Sequence, residues 1–319
     1  MKILIAPLNW GLGHASRCVP LVRRFTAEGH EVILGGDGDS LTLLRRHFPR
    51  LRYVYLAPLD LRYGKGKRQV WAMVKALPRL LAWAVKDHAM LAAVMREEKI
   101  DRVVSDNRFG LFNPSAECIY ITHQLHIFLP HGWRWLESAA ERIHAAIYKH
   151  YNAVWVPDYE AKEKSLAGEL SHPESIPENQ RNKITYIGPL SRFEPNEDVR
   201  NANEMYSIAA VLSGLAPQRT MLEKEILSLY RNTEEQVLVV QGLPGRPNTR
   251  FKRGNITIVP YLNDDAMVAA LQNAKRIITR SGYSSIMDLA ALGVMEKAEL
   301  IPTPGQPEQE YLALLHCKK

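Results

Sequence analysis

A glycine-rich loop near the N-terminus carries the first residue with an evident capacity for chemistry. In the stretch PLNWGLGHASRCVP, His14 follows Gly11 and Gly13 directly after an apolar run. An imidazole has a pKa near neutrality and therefore suits a general base. Asp106, in VVSDNRFG, ends another apolar run and could orient His14 or act as the base itself. A purely structural histidine in a tight turn is the alternative.

Two further glycine turns have the composition of phosphate sites. They contain Ser213 and Gly214 in VLSGLAPQRT, and Arg280, Ser281, Gly282 and Ser285 in ITRSGYSSIMD. Glycine permits close backbone approach, and the free N–H groups of a first helical turn attract an anion. One such turn often serves backbone geometry alone, but two at the ends of adjacent strands favour a diphosphate.

Neither turn is a P-loop. The N-terminal loop has Ser16 where a dinucleotide fingerprint has its third glycine, and His14 would crowd a pyrophosphate, which disfavours an NAD enzyme.

Acidic and amide side chains follow these turns. Asp288 lies about two turns into the helix after Ser281, where its carboxylate could accept two hydroxyls of a ribose. An exposed helical acid is the alternative. A later strand–helix turn, IPTPGQPEQEYLA, contains Gln306, Glu308 and Gln309. The last two of these are also ordinary residues for a first helical turn.

The elements around these residues alternate between strand and helix. Continuous apolar runs such as KILIAPL, HEVILGG and EQVLVVQG stand between amphipathic segments, a pattern typical of parallel strands covered on both faces. The polar segment GPLSRFEPNEDVRNANEM interrupts this pattern once. We therefore predict two Rossmann-like, doubly wound α/β domains facing a cleft. Their expected limits are residues 1–190 and 206–319, with a linker at 191–205.

Bulk composition narrows the class of protein. The chain has 319 residues, 46% hydrophobic and 24% charged, with three widely spaced cysteines. This composition predicts a soluble or peripheral protein of a reducing cytoplasm, without a disulfide framework or a metal site. Residues 1–150 carry 22 basic and 13 acidic side chains, whereas the remainder is slightly acidic. The basic half should face an anionic partner, but nucleic acid is disfavoured because no nucleic-acid motif is present.

A basic stretch suggests what that partner is. Residues 62–86 contain seven basic side chains and no acid, together with Trp71 and Trp83, and PHGWRWLE adds Trp133 and Trp135. Basic residues mixed with tryptophan suit an anionic membrane surface, at the inner face of the cytoplasmic membrane. A long, partly buried helix with a solvated face is the alternative.

These motifs, and their order along the chain, resemble those of a known family. The run R-S-G, an acid eight residues after that arginine, and the following P-G-Q-x-E-Q resemble the donor-site signature of GT-B glycosyltransferases. The resemblance is greatest to family 28, which includes the peptidoglycan N-acetylglucosaminyltransferases, and GLGHASR is similar to that family's first glycine loop. Family members usually continue through further helices after this signature, so the resemblance implies a shortened C-terminal end at LLHCKK.

The resemblance implies a role for each motif. The donor diphosphate would face Ser213, Gly214, Ser281 and Gly282, beside Arg280, Ser285 and Gln306. Asp288 would grip the ribose in place of a longer glutamate, Tyr261 would lie where the base is read, and Glu308 and Gln309 would bind sugar hydroxyls. The remaining residues, Gly11, Gly13, His14, Arg17, Asp106 and His123, would line the acceptor side.

The function expected from this resemblance is an inverting, metal-independent transfer of a hexose or N-acetylhexosamine. The donor would be a nucleoside diphosphate sugar, with UDP the usual nucleotide, and no other cofactor is expected. The acceptor would be a hydroxyl of a lipid-linked or other hydrophobic molecule. Two alternatives remain open: a nucleotide-sugar hydrolase in which the histidine activates water, and a non-catalytic nucleotide-sugar-binding protein.

Overall fold

The fold consists of two sheets, each covered by helices. The computed structural model describes residues 1–59, 69–174, 176, 178–196 and 206–317. The first sheet has seven parallel strands in the order β3-β2-β1-β4-β5-β6-β7. These strands are β1 (Lys2–Pro7), β2 (Glu31–Gly36), β3 (Arg52–Tyr55), β4 (Arg102–Asp106), β5 (Glu117–Ile121), β6 (Ala153–Val156) and β7 (Ile184–Tyr186).

The second sheet has six strands in the order β10-β11-β9-β8-β12-β13. All its pairs are parallel except β10 with β11, which is antiparallel. Its strands are β8 (Ile208–Val211), β9 (Val237–Val240), β10 (Phe251–Arg253), β11 (Ile256–Val259), β12 (Arg276–Arg280) and β13 (Ala298–Ile301).

Helices cover both faces of each sheet. They are α1 (Gly13–Ala27), α2 (Gly38–His47), α3 (Gln69–Glu98), α4 (Glu137–Tyr148), α5 (Glu178–Arg181), α6 (Gln218–Tyr230), α7 (Asp264–Asn273), α8 (Tyr283–Ala291) and α9 (Pro307–Leu315). Helices α1 and α2 pack on one face of the first sheet, and α3 and α4 pack on the other. Two cores likewise flank the second sheet. The prediction of two Rossmann-like, doubly wound α/β units is therefore confirmed. Each sheet together with its helices is called a layer below: the first layer contains β1 to β7 and the second contains β8 to β13.

The two layers contact each other through helices. Helix α1 lies against α8. Near the end of α9, the Tyr311 hydroxyl accepts a hydrogen bond from Glu169 N at 2.9 Å, and His316 Nε2 lies 2.8 Å from Leu166 O. Residues of the first layer thus brace the last helix of the second. The domain limits and the linker at 191–205 stay predictions, because 197–205 lie outside the described residues.

One expectation about the basic stretch is wrong. Trp83 is only 5% exposed, and its indole N–H donates to Ala57 O at 2.8 Å, so it cannot contact a membrane. It packs against the fully buried Arg108, whose guanidinium pairs with Asp87 and Asp37. Trp83 and Asp87 are four residues apart and share the inner face of α3. Trp71 and Lys75 have no described side chain, and 60–68 lie outside the described residues.

Candidate active site

The carboxyl ends of β1 and β4 bring His14 to Asp106. The two strands are parallel neighbours with Pro7 opposite Asp106, and the loop after β1 leads directly into α1. His14 stands in the first turn of α1, and its Nδ1 lies 2.8 Å from Asp106 Oδ1. Arg17 Nη2 also lies 3.0 Å from this nitrogen, but the shorter contact is to a carboxylate, which only accepts hydrogen bonds. We therefore assign the imidazole proton to Nδ1, which leaves the Nε2 lone pair unprotonated.

Buried charge controls the protonation of this pair. Arg17 and Asp106 are 1% and 0% exposed, and Arg17 Nε donates to Asp106 Oδ2 at 2.5 Å. Burial alone would raise the pKa of the Asp106 carboxyl, but Arg17 and His14 together hold it well below its usual range. Burial lowers the pKa of His14, and Arg17 lowers it further against the opposing effect of Asp106. His14 is therefore neutral at pH 7, as a general base requires.

A second histidine links this group to the other layer. Arg17 Nη1 lies 3.2 Å from His123 Nδ1, and because a guanidinium only donates, that nitrogen accepts. His123 Nε2 then donates to Glu308 Oε1 at 2.8 Å. Gln124 Nε2 donates to the other oxygen of Glu308 at 2.5 Å. The carboxylate predicted to bind donor-sugar hydroxyls is thus held by two residues that follow β5.

The two predicted phosphate turns lie side by side. Ser213 and Gly214 follow β8, Ser281 and Gly282 follow β12, and these strands are parallel neighbours. The predicted adjacency of the two turns is therefore confirmed. The N-terminal loop closes over them: a Cβ added to Gly11 would lie 3.5 Å from Gly214 Cα. Gly11 and Gly214 both have φ near +80°, a conformation that favours glycine.

Several residues predicted to bind the donor form hydrogen bonds within and between these turns. Arg280 donates to Pro302 O at 3.0 Å and to Gln218 O at 3.1 Å, which ties β12 to the start of α6. The Ser281 hydroxyl donates to Gln309 O at 2.7 Å. The Gln309 side chain accepts from Thr303 N at 2.9 Å, and its amide donates to Gln306 at 2.5 Å. Direct donor contacts of these side chains stay predictions.

Asp288 faces the cleft as predicted for its helix. It lines a cavity of about 90 Å³ together with Ser213, Ser285 and Tyr261. Its Oδ1 accepts a hydrogen bond of 2.6 Å from the Ser191 hydroxyl. Burial raises the pKa of Asp288 to about 6, although nearby Arg192 and this hydrogen bond lower it in part. The carboxylate is therefore destabilised until a partner such as a hydroxyl pair binds it.

This raised pKa predicts a pH-dependent gain in stability for Asp288→Asn. The folded-state pKa of about 6 lies above that of an unfolded aspartate, so the protonated carboxyl stabilises the fold below about pH 4 and this contribution is lost as pH rises through 6. We expect Asp288→Asn to raise the free energy of unfolding at pH 7 by roughly 2–3 kcal/mol and to change it little at pH 4. Thermal denaturation across this pH range measures the effect. The exposed carboxylate of Asp265 supplies the control Asp265→Asn, and an equal gain at both pH values would contradict the prediction.

Arg192 is a site residue that the sequence does not indicate. It is 7% exposed, lines the same cavity, and donates to the Tyr261 hydroxyl at 3.1 Å. It also lies 3.5 Å from Asp264, at the start of α7. The residue falls in the polar segment that predicted a linker, where an isolated arginine reads as solvated. Only the packing of that segment across both layers places it beside Tyr261.

Comparisons with known proteins agree with the fold and with the class of enzyme expected from the sequence. Residues 209–315 match the model of the glycosyltransferase family 28 C-terminal domain. A protein of Methanosarcina mazei described as an uncharacterized glycosyltransferase is 21% identical over 322 residues, covering 97% of this chain and 82% of the relative. A similarly described protein of Methanosarcina acetivorans is 25% identical over 319 residues, covering 92% of this chain and 76% of the relative.

Solved structures share the whole fold. Spinosyn rhamnosyltransferase SpnG superposes with a TM-score of 0.62 at 11% identity, covering 99% of this chain and 84% of that one. The calicheamicin glycosyltransferase CalG4 gives 0.61 at 12% identity, covering 98% and 83%. At such identities the likeness concerns the fold, whereas the family match concerns the second sheet and its helices. Residues 209–315 therefore resemble a glycosyltransferase family 28 C-terminal domain, and the chain as a whole is a glycosyltransferase with the GT-B fold.

Proposed function

We propose that the protein transfers a hexose or N-acetylhexosamine from a uridine diphosphate sugar to a hydroxyl of a hydrophobic, lipid-linked acceptor. The proposal rests chiefly on the contact between His14 and Asp106, in which Nδ1 lies 2.8 Å from the carboxylate. Both residues belong to the first layer and face the two phosphate turns of the second layer across the cleft. In one displacement the acceptor oxygen bonds to the anomeric carbon while the carbon–oxygen bond to the diphosphate breaks. The acceptor proton passes to His14 Nε2, and the bonding electron pair leaves with the nucleoside diphosphate. A single displacement inverts the anomeric centre.

Backbone dipoles suit the stabilisation of the leaving diphosphate. The turns after β8 and β12 present N–H groups and the N-termini of α6 and α8 toward the cleft. Ser213 and Ser285 line the same cavity and can donate hydroxyl hydrogen bonds. We propose that these groups offset the developing negative charge without a bound metal ion.

Donor binding requires the cleft to widen. The cavity beside Asp288 has a volume of about 90 Å³, whereas sites for ligands of this size span roughly 300–1,000 Å³. Polar bonds near the cleft include those of Glu308 to His123 and Gln124, and of Ser191 to Asp288. Sugar and ribose hydroxyls can replace these partners one for one. We therefore propose that the donor takes over the carboxylates of Glu308 and Asp288 as it enters.

A panel of nucleotide sugars tests the proposal. The protein is incubated with uridine, thymidine, guanosine and adenosine diphosphate sugars, with and without a lipid-linked hydroxyl acceptor. Acceptor-dependent release of a nucleoside diphosphate supports transfer. Release of free sugar without any acceptor would identify a hydrolase instead, and tight nucleotide binding without turnover would identify a binding protein.

The acceptor is proposed to arrive from an anionic membrane surface. In the described part of α3, the exposed side chains of Leu77, Leu81 and Val85 recur every four residues on one face. Arg79 and Lys86 flank them and are exposed. Such a face inserts apolar side chains while each basic group near the surface adds about 1 kcal/mol. None of the helices, as far as the structure describes them, is long and apolar enough to cross a membrane.

Leu81→Glu is expected to weaken binding to anionic vesicles. The substitution puts a carboxylate into the apolar stripe, so we expect roughly a tenfold lower partition coefficient on phosphatidylglycerol vesicles. Leu229→Glu is the matched control, because Leu229 is 65% exposed on α6 and Leu81 is 58% exposed. Cosedimentation with anionic and with zwitterionic vesicles measures both. Equal losses for the two variants would remove the support for α3 as the membrane face.

A further inference from the structure

Ser16 has a buried hydroxyl without a hydrogen-bond partner. Its side chain, on α1, is 6% exposed, and Oγ contacts no acceptor or donor among the described residues. A buried serine in a helix commonly bonds to the carbonyl four residues earlier. Here Leu12 O accepts only the Ser16 backbone N–H, and the hydroxyl does not make this bond. An unmade buried hydrogen bond costs stability, so this arrangement calls for an explanation.

The hydroxyl lies on the cavity of the proposed donor site. Ser16 and Gly13, both from the first layer, line that cavity opposite Ser213, Ser284 and Ser285. The volume of about 90 Å³ accommodates a group of phosphate size. Four serine side chains, one of them unpartnered and more than nine-tenths buried, thus line a space that opens onto the phosphate turns.

Two helix N-termini converge at the same point. Helix α1 begins at Gly13 and α8 begins at Tyr283. A Cβ added to Gly13 would lie 2.6 Å from the Ser284 hydroxyl oxygen, so the two first turns approach as closely as glycine allows. The N–H groups of a first turn have no partner within their helix, and both dipoles favour negative charge there. The same cavity is also lined by Asp288 and by aliphatic side chains, so it is the part formed by the serines and the two first turns that suits a phosphate group.

We propose that Ser16 donates a hydrogen bond to a phosphate oxygen of the nucleotide donor. The inference rests on the function proposed above and adds to it a contact between the donor and the first layer. The first layer then holds the leaving group with Ser16 and the attacking hydroxyl with His14, two residues apart on one helix. The hydroxyl is unpartnered without the donor and gains a partner when the diphosphate binds, so donor binding stabilises the contact between α1 and α8.

Ser16→Ala separates this role from a structural one. Isothermal titration with uridine, thymidine, guanosine and adenosine diphosphates and with the parent nucleosides measures affinity, and thermal denaturation of the ligand-free protein measures stability. We expect the preferred diphosphate to bind about tenfold more weakly to the variant, with nucleoside affinity unchanged, because one hydrogen bond to a charged group is lost. The melting temperature without ligand should stay the same or rise, since the variant buries no unpaired hydroxyl. Thr26→Ala, which removes an exposed hydroxyl from the same helix, is the control.

Three results would overturn the inference. Unchanged diphosphate affinity in Ser16→Ala would show that the hydroxyl does not contact phosphate. A lower melting temperature together with equal losses for nucleoside and diphosphate would show a structural role. Failure of the unaltered protein to bind any nucleoside diphosphate would instead overturn the proposed function, and the Ser16 contact with it.

Discussion

Replacing His14 with alanine is expected to lower kcat of sugar transfer by roughly 10²–10⁴-fold, the range typical of a lost general base. Binding of the nucleoside diphosphate should change little, because the imidazole is expected to face the acceptor hydroxyl. Initial rates at saturating donor and acceptor measure kcat, and titration with the diphosphate measures binding. His131→Ala is the control, since His131 is an exposed histidine at the first residue of the short 3-10 helix His131–Leu136.

The pH dependence of kcat/KM is a second test of His14 as the general base. Burial and Arg17 lower the pKa of His14 below its ordinary value, so the imidazole stays unprotonated at pH values where a free histidine is charged. The acid limb of kcat/KM should therefore lie below pH 6.5. Transfer that survives in His14→Ala within a few-fold, with the acid limb unmoved, would assign the base to another group.

Sequence patterns predict most of the fold because local chemistry dictates it. Buried parallel strands require continuous apolar runs, and the runs in KILIAPL and EQVLVVQG became β1 and β9. Glycine and serine at strand ends mark the turns where parallel sheets bind ligands. The short strands β7 (Ile184–Tyr186) and β10 (Phe251–Arg253) were missed, because three residues carry too little periodicity to be recognised.

Contacts between distant residues were not predictable in the same way. Asp288 and Ser191 are 97 residues apart, and Glu308 and His123 are 185 apart. In the sequence each of these residues looks ordinary: the acids are typical of helices, the serine of a polar linker and the histidine of a packed core. Their pairing depends on how the two layers meet, which no local pattern encodes. The same holds for Trp83, whose basic neighbours suggested a surface position while its spacing to Asp87 places it inside.

These long-range pairs connect the two sides of the cleft. Asp106, Arg17 and His123 form a continuous set of polar contacts from His14, the proposed base, to Glu308, the proposed sugar ligand. A donor sugar that takes over Glu308, as proposed above, removes the carboxylate partner of His123 Nε2. Arg17, at the centre of this set, is the residue on which both its stability and its protonation depend.

Arg17→Met is expected to lower the free energy of unfolding by about 3–5 kcal/mol, because it leaves the fully buried carboxylate of Asp106 without its guanidinium partner. The loss should be largest at neutral pH. In the unaltered protein the depressed pKa of Asp106 gives stability that persists above about pH 4 and is lost as pH falls. In the variant, only His14 still opposes the effect of burial, so the pKa of that carboxyl rises and protonation relieves the penalty on acidification.

A double substitution isolates the charge from the packing. Arg17→Met with Asp106→Asn removes the uncompensated carboxylate, so we expect it to be more stable than Arg17→Met alone by about 2 kcal/mol at pH 7. Arg24→Met is the matched control on the same helix: Arg24 is 66% exposed and forms a surface ion pair with Glu28, and its loss should cost less than about 0.5 kcal/mol. Chemical denaturation at pH 5 and pH 7 measures all five proteins: the unaltered chain, Arg17→Met, Asp106→Asn, the double variant and Arg24→Met. If the double variant were as unstable as the two single losses combined, the contribution of Arg17 would be packing, and the buried ion pair would not be what holds His14 and His123 in place.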